Sequence, residues 1–275
     1  ATAARDPASR LAIAAAIGAV GSTLGNAGQL AEGAAELKRA LAMEELILGA
    51  DHPEVARTVH DLAAIQRDLG ELAESERGLL RVRTIFAAAF GEGSLEVAAT
   101  DAALAYLAII AGQLERAHEL AVRARAGFVR TNAGPALLSS IDTALGNIEQ
   151  NRERCAAAIP HYERALASSR EAGETGGLLA VAYVNLAACL ADVGRDPEAR
   201  NALEAGLSAW EAAGDAGPER AQALAILADL EARAGRRGRA IELAKQVLAA
   251  IDGLEGEPFE AIREHVRDQL AIWRR

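Results

Sequence analysis

The stretch Leu62-Ala63-Ala64-Ile65-Gln66-Arg67-Asp68-Leu69-Gly70-Glu71-Leu72-Ala73-Glu74-Ser75 decides how this chain folds. A bulky aliphatic residue, Leu62, is followed by a small one, Ala63. A glycine, Gly70, comes next, and another small residue, Ser75, follows it. The arrangement predicts a helix, a reversal and a second helix packed on the first. It also recurs. Gly28, Gly70 and Gly112 are spaced by 42, Gly194 and Gly235 by 41, and the gap of 82 between Gly112 and Gly194 is two steps with Glu153 at the missed place.

With this glycine as position 15 of each unit, position 7 reads Val20, Leu62, Leu104, Leu145, Leu186 and Leu227. Position 8 reads Gly21, Ala63, Ala105, Gly146, Ala187 and Ala228, and position 20 reads Gly33, Ser75, Ala117, Ala158, Ala199 and Ala240. Small residues at both positions let two antiparallel helices approach where their ridges cross. Position 7 supplies the aliphatic knob beside that crossing. Glycine past the end of the first helix takes the left-handed conformation that turns the chain. A single hairpin cannot bury its apolar face, so neighbours must stack into a superhelix.

This pattern resembles the tetratricopeptide repeat family over roughly residues 8 to 252, although that repeat is ordinarily 34 residues long. The resemblance implies an all-α, right-handed superhelical solenoid of six antiparallel hairpins closed by a C-terminal capping helix. It implies one domain over 1–275, with repeats at about 8–50, 51–92, 93–133, 134–174, 175–215 and 216–253 and the cap at about 256–274. Two features depart from the family. The aromatic expected at position 11 is replaced by Leu24, Gln66, Ala108, Glu149, Leu190 and Glu231, and position 17 reads Leu30, Leu72, Leu114, Cys155, Asp196 and Arg237. The extra length of each unit is about two helical turns, one per helix. Leu48-Gly49-Ala50 followed by Asp51-His52-Pro53-Glu54-Val55-Ala56 is similar to the kinesin-light-chain variety of the repeat, with a weaker echo at Phe90–Val97. Asp51 is the expected cap there, Pro53 suits the first turn and Glu54 completes a capping box. Long repeats of this kind are common in the C-terminal regions of bacterial serine/threonine kinases, and the Ala- and Arg-rich composition points to a bacterial gene.

Composition agrees with closely packed helices. Alanine accounts for 67 of 275 residues and aromatic residues for 3%. A net charge of −10 opposes general nucleic-acid binding, which needs a clustered basic face. The one local basic cluster, Arg233, Arg236, Arg237 and Arg239, reads as a solvated helix turn. Cys155 and Cys189 stand alone in sequence, without a CxxC pair, so neither a disulfide nor a metal site is expected and a reducing cytoplasm is the natural compartment. No run approaches the roughly 18 apolar residues a membrane helix needs. Leu11 to Val20 has the length of a signal-peptide core, but falls in register with the first repeat. The chain starts at Ala1 and has one methionine, Met43, so it is expected to be a piece of a longer protein.

Helices are expected at about 8–26, 29–48, 52–69, 72–90, 94–111, 114–131, 135–151, 154–172, 177–193, 196–213, 217–234 and 237–251. Pro160 falls within one of them and is expected to tighten or kink it. Breaker residues mark loops at 171–177 and 214–218. From Glu257 onward Phe259, Ile262, Val266, Leu270 and Trp273 recur at helical spacing, as a cap requires.

No HExxH, GxSxG, phosphate loop or kinase signature is present, so neither catalysis nor a cofactor is expected. The implied concave face is lined by first-helix residues. The candidates to hold a protein or peptide are Arg57, His60, Asp61, Arg67, Tyr106, Asn147, Gln150, Asn151, Asn185 and Asp229. Amides such as Asn147, Asn151 and Asn185 suit hydrogen bonding to a peptide backbone. The lysine and asparagine of the chaperone-binding carboxylate clamp have no counterparts at positions 5 and 9. Three functional readings follow: a docking region of a signalling protein such as a kinase, the ligand- or peptide-sensing arm of a transcription regulator, or self-assembly through exposed solenoid ends.

Overall fold

Every unit turns through a left-handed residue at position 15. In the computed structural model φ is +81° at Gly28, +80° at Gly70, +71° at Gly112, +76° at Gly194 and +77° at Gly235. Glu153, at the missed place, adopts the same conformation with φ +59°. Around Gly70 the turn closes by backbone bonds from the Gly70 amide to the Arg67 carbonyl (3.0 Å) and from the Glu71 amide to the Gln66 carbonyl (2.8 Å). These bonds satisfy the carbonyls that the end of a helix leaves open.

The structure describes residues 6–175, 177–213 and 218–274. Among them it has thirteen helices and no strand. They are α1 (Pro7–Asn26), α2 (Leu30–Leu48), α3 (Pro53–Asp68), α4 (Leu72–Phe90), α5 (Leu95–Ile110), α6 (Leu114–Arg130) and α7 (Pro135–Asn151). There follow α8 (Cys155–Glu171), α9 (Gly177–Asp192), α10 (Asp196–Ala213), α11 (Pro218–Arg233), α12 (Arg237–Ala250) and α13 (Glu257–Trp273). The first twelve begin and end within one residue of the positions read from the sequence. α8 runs on through Pro160. Of the two breaker-rich loops, Gly176 and residues 214–217 lie outside the described residues.

The helices pair as hairpins, and the fold is that of a helical repeat solenoid. They belong to two compact units, one ending at Ala133 and one beginning at Gly134. In the first, α1/α2, α3/α4 and α5/α6 are the hairpins, joined by α2 packing on α3 and α4 on α5. In the second, α7/α8, α9/α10 and α11/α12 follow the same rule, and α13 packs on both α11 and α12.

The small positions meet as expected. A Cβ on Gly33 would come within 2.8 Å of the Gly21 carbonyl oxygen. In the next hairpin the Ser75 hydroxyl donates to the Ala63 carbonyl at 2.7 Å. Gly146 makes room for a larger neighbour, since an added Cβ would sit 2.5 Å from the Tyr162 ring.

Local chemistry at the first repeat junction differs from the expectation in the cap, and Glu54, as the second helical residue, pairs with Arg57 rather than completing a capping box. His52, not Asp51, caps α3, its Nδ1 accepting from the Glu54 amide at 3.1 Å. Asp51 falls one residue too early, because Pro53 already occupies the first helical position. The echo at the next junction is close: Gly49 has φ 88° and ψ 153°, and Gly91 has φ 88° and ψ 154°.

The two ends contrast. On α13, Val266 and Leu270 are buried, with Phe259, Ile262 and Trp273 packed on the same core. Glu260, Glu264, Arg267 and Asp268 face outward. On α1 only Ala14 and Gly21 are buried. The expectation from run length needs correcting here, because α1, at 20 residues, is long and apolar enough to cross a membrane. Ser22 and Thr23 interrupt its apolar run without adding charge, and no charged residue lies between Arg10 and Asn26.

Candidate functional site

Position 11 faces the core, and the two glutamates there are not exposed. Glu149 accepts from Arg152 Nη1 at 2.9 Å. Glu231 accepts from Arg236 Nη2 at 3.0 Å and lies 3.2 Å from Arg200 Nε on the preceding hairpin. Arg236, helped by Arg200, holds the Glu231 carboxyl below the usual glutamate range. Ion pairs thus occupy the place where the family carries an aromatic. The basic cluster is interlaced with acid in the same way, as Arg233 also lies 3.5 Å from Asp196.

A second buried pairing repeats at a fixed offset. Asp101 and Asp142 both stand at position 4, and Arg123 and Arg164 both stand at position 26. Arg123 Nη2 lies 3.0 Å from Asp101 and Arg164 Nε 3.2 Å from Asp142. Arg83 and His161 complete the two clusters.

Three of the candidate binding residues converge. Arg57, His60 and Asp61 on α3 line a cleft of about 360 Å³ with Phe86 of α4 and Glu96, Ala99 and Thr100 of α5. Arg57 pairs with Glu54, one turn back on its own helix. Asp61 accepts from the Ser22 hydroxyl at 2.7 Å. His60 beside it and that hydroxyl hold the Asp61 carboxyl below the ordinary range, so it is an anion at neutral pH. Thr100 is buried and spends its hydroxyl on the Glu96 carbonyl at 2.8 Å. The cleft therefore has an apolar wall, Phe86 and Ala99, between charged rims.

In the second unit the amides join one another. Asn185 Nδ2 donates to Asn147 Oδ1 at 3.1 Å. The Tyr162 hydroxyl lies 2.8 Å from Asn147 Oδ1 and 2.7 Å from Gln150 Oε1. Burial pushes its pKa up and keeps it a neutral donor. Asp229 bonds His265 of α13 at 2.9 Å, beside a cleft of about 260 Å³ lined also by Gln222, Ile226 and Ile262.

Ser22–Asp61 and Asn147–Asn185 each bridge successive first helices of a unit, and Asp229–His265 joins α11 to α13 in the same way. Of the other candidates, Arg67 bonds Asp68 at 2.8 Å, Tyr106 is half-buried on α5, and Asn151 is exposed at the end of α7. Sequence reasoning missed Ser22, Phe86, Glu96, Thr100 and Tyr162. The glycine at 146, where four of the other five units carry alanine, was the available signal for Tyr162.

The tetratricopeptide repeat family matches residues 13–54, 137–212 and 178–252, together more than half of the chain. No curated protein matches it in sequence. Among solved structures, a Pyrococcus horikoshii STAND signal-transduction ATPase with a tetratricopeptide repeat sensor aligns over 98% of this chain and 38% of its own, with TM-score 0.76 and 16% identity. The Cut9–Hcn1 hetero-tetramer of the APC/C aligns over 92% of this chain and 42% of its own, with TM-score 0.66 and 16% identity. Kinesin-light-chain TPR-like repeats of Podosopora anserina align over 92% of this chain and 100% of their own, with TM-score 0.51 and 18% identity. The chain thus spans less than half the length of the first two. The class is a solenoid of helical hairpins, generally a non-catalytic scaffold. The chain belongs to the tetratricopeptide repeat family.

Proposed function

We propose that this chain is a non-catalytic module that holds an extended peptide segment of a partner protein, as the docking region of a larger bacterial, cytoplasmic signalling protein such as a serine/threonine kinase. The observation that carries the reading is the α3–α5 cleft, where Arg57, His60 and Asp61 meet around an apolar wall. Charged rims beside an apolar floor suit a peptide that offers one apolar side chain and polar neighbours. The STAND neighbour, whose tetratricopeptide repeats are named a sensor within a longer signalling protein, supports the regulatory setting.

The test is a peptide selected on the chain from a random display library, then titrated against three proteins. With Arg57, His60 and Asp61 changed to alanine, affinity is expected to fall about tenfold or more, which is at least 1.4 kcal/mol. With exposed second-helix residues Arg39, Arg77 and Lys245 changed to alanine, affinity is expected to match the parent. Equal loss in both variants, with native circular dichroism, refutes the cleft.

One observation favours a second reading, self-association through the α1 end. Val20 is 52% exposed, whereas Leu62 at the same repeat position is 8% exposed. Ile13 is 46% exposed against 0% for its counterpart Val55. In the second hairpin these positions are covered by α2 of the hairpin before, whereas nothing among the described residues covers them on α1.

A further inference from the structure

The only two cysteines of the chain, 34 residues apart in sequence, touch: Cys155 Sγ lies 2.7 Å from Cys189 Sγ. Cys155 opens α8 and is half-buried, while Cys189 is buried near the end of α9. They occupy position 17 of one hairpin and position 10 of the next. In the first unit that pair of positions holds aliphatic residues, Leu30 packed on the cluster of Ile65, and Leu72 lining one cleft with Leu107. Here both partners have become cysteine together. The joint is packed, since Ala158, Ile159, Tyr162 and Leu190 belong to the same core cluster. The thiols are therefore held together by the stacking of two hairpins.

We propose that Cys155 and Cys189 are a modification site, an oxidisable thiol pair that a hydroperoxide converts into a disulfide clamping the third-last and second-last hairpins. Cys155, the accessible partner, attacks the peroxide O–O bond. It becomes the sulfenic acid and releases an alcohol, or water when the oxidant is hydrogen peroxide. The Cys189 sulfur then displaces hydroxide from the sulfenyl sulfur. Its thiol proton leaves with that hydroxide as water, so two electrons pass from the two thiols to the peroxide. A normal S–S bond is about 2.0 Å, so closure needs the sulfurs to move by less than an ångström. Burial raises the pKa of both thiols. Few thiolates are present at neutral pH, so oxidation is slow and quickens in alkali. The bond would brace the joint that the Asn147–Asn185 hydrogen bond also spans.

The experiment oxidises the whole chain with hydrogen peroxide under dilute conditions, then counts thiols in denaturant and maps peptides without reduction. The expected result is loss of both thiols, an intact mass lower by two hydrogens, and one linked peptide pair carrying residues 155 and 189. Thermal unfolding of the oxidised chain should rise by roughly 5–10 °C and return to the starting value with dithiothreitol. With Cys155→Ala, the remaining Cys189 thiol should survive the same treatment. The proposal fails if the parent gains oxygen at Cys155 while Cys189 stays free, or if linkage appears only between molecules.

Discussion

Residue 153 shows how closely this chain keeps to its repeat. A β-carbon in the left-handed region costs about 1–2 kcal/mol, yet Glu153 takes φ +59° because the hairpin must reverse there. Glu153→Gly is expected to stabilise the protein by up to about 1 kcal/mol, part of the gain being offset by the freedom glycine has when unfolded. Chemical denaturation measures this; a loss of stability would mean that the side chain does something the backbone does not show. Gly146 tests the opposite case. Gly146→Ala drives a Cβ against the Tyr162 ring and should cost about 1–3 kcal/mol. Adding Tyr162→Leu recreates the Ala187/Leu203 pair of the next hairpin and should recover most of that loss.

Among elements, the buried acid–arginine pairs are the departure to explain. Asp142 lies under Arg164 and His161, and the last hairpin carries Leu224 and Gln246 at the positions of Asp142 and Arg164. Asp142→Ala is expected to cost about 2 kcal/mol, by leaving basic groups without their partner and a gap behind. The double change Asp142→Leu with Arg164→Gln copies the last hairpin and should come within about 1 kcal/mol of the parent or exceed it, as replacements of buried ion pairs often do. Unfolding curves of the two variants decide the matter. These pairs also mark the limit of what could be read from sequence. Hairpin period, turns and helix ends were legible because backbone reversal and close helix approach demand glycine and small residues at fixed places. Glu149 and Glu231 looked like decay of the pattern, although Arg152 and Arg236 stand only three and five residues away, because Arg200, which completes the Glu231 pairing, comes from the preceding hairpin. Cys155 and Cys189 looked solitary because only the packing of one hairpin on the next brings position 17 against position 10.

At the scale of the whole chain, the two proposed readings rest on the α3–α5 cleft and on the exposed face of α1. The α13 end is covered by charge, while α1 presents Ile13 and Val20 to solvent. If that face drives self-association, sedimentation equilibrium of the parent will show a mass rising with concentration. Ile13→Glu with Val20→Glu will hold it at the monomer value of 28.6 kDa, within the small change the substitutions bring. A parent that stays monomeric throughout removes this reading. The candidate site was partly legible: Arg57, His60 and Asp61 share a first helix and so had to share a face. Phe86, Glu96 and Thr100 were not, because Phe86 comes from the second helix of that hairpin and Glu96 and Thr100 from the next hairpin. The most direct measurement of the central claim is amide hydrogen exchange of the full chain with and without a display-selected peptide. The account predicts slowed exchange concentrated in α3 and the first half of α5. Protection confined to the outer second helices, or to α1, would contradict it.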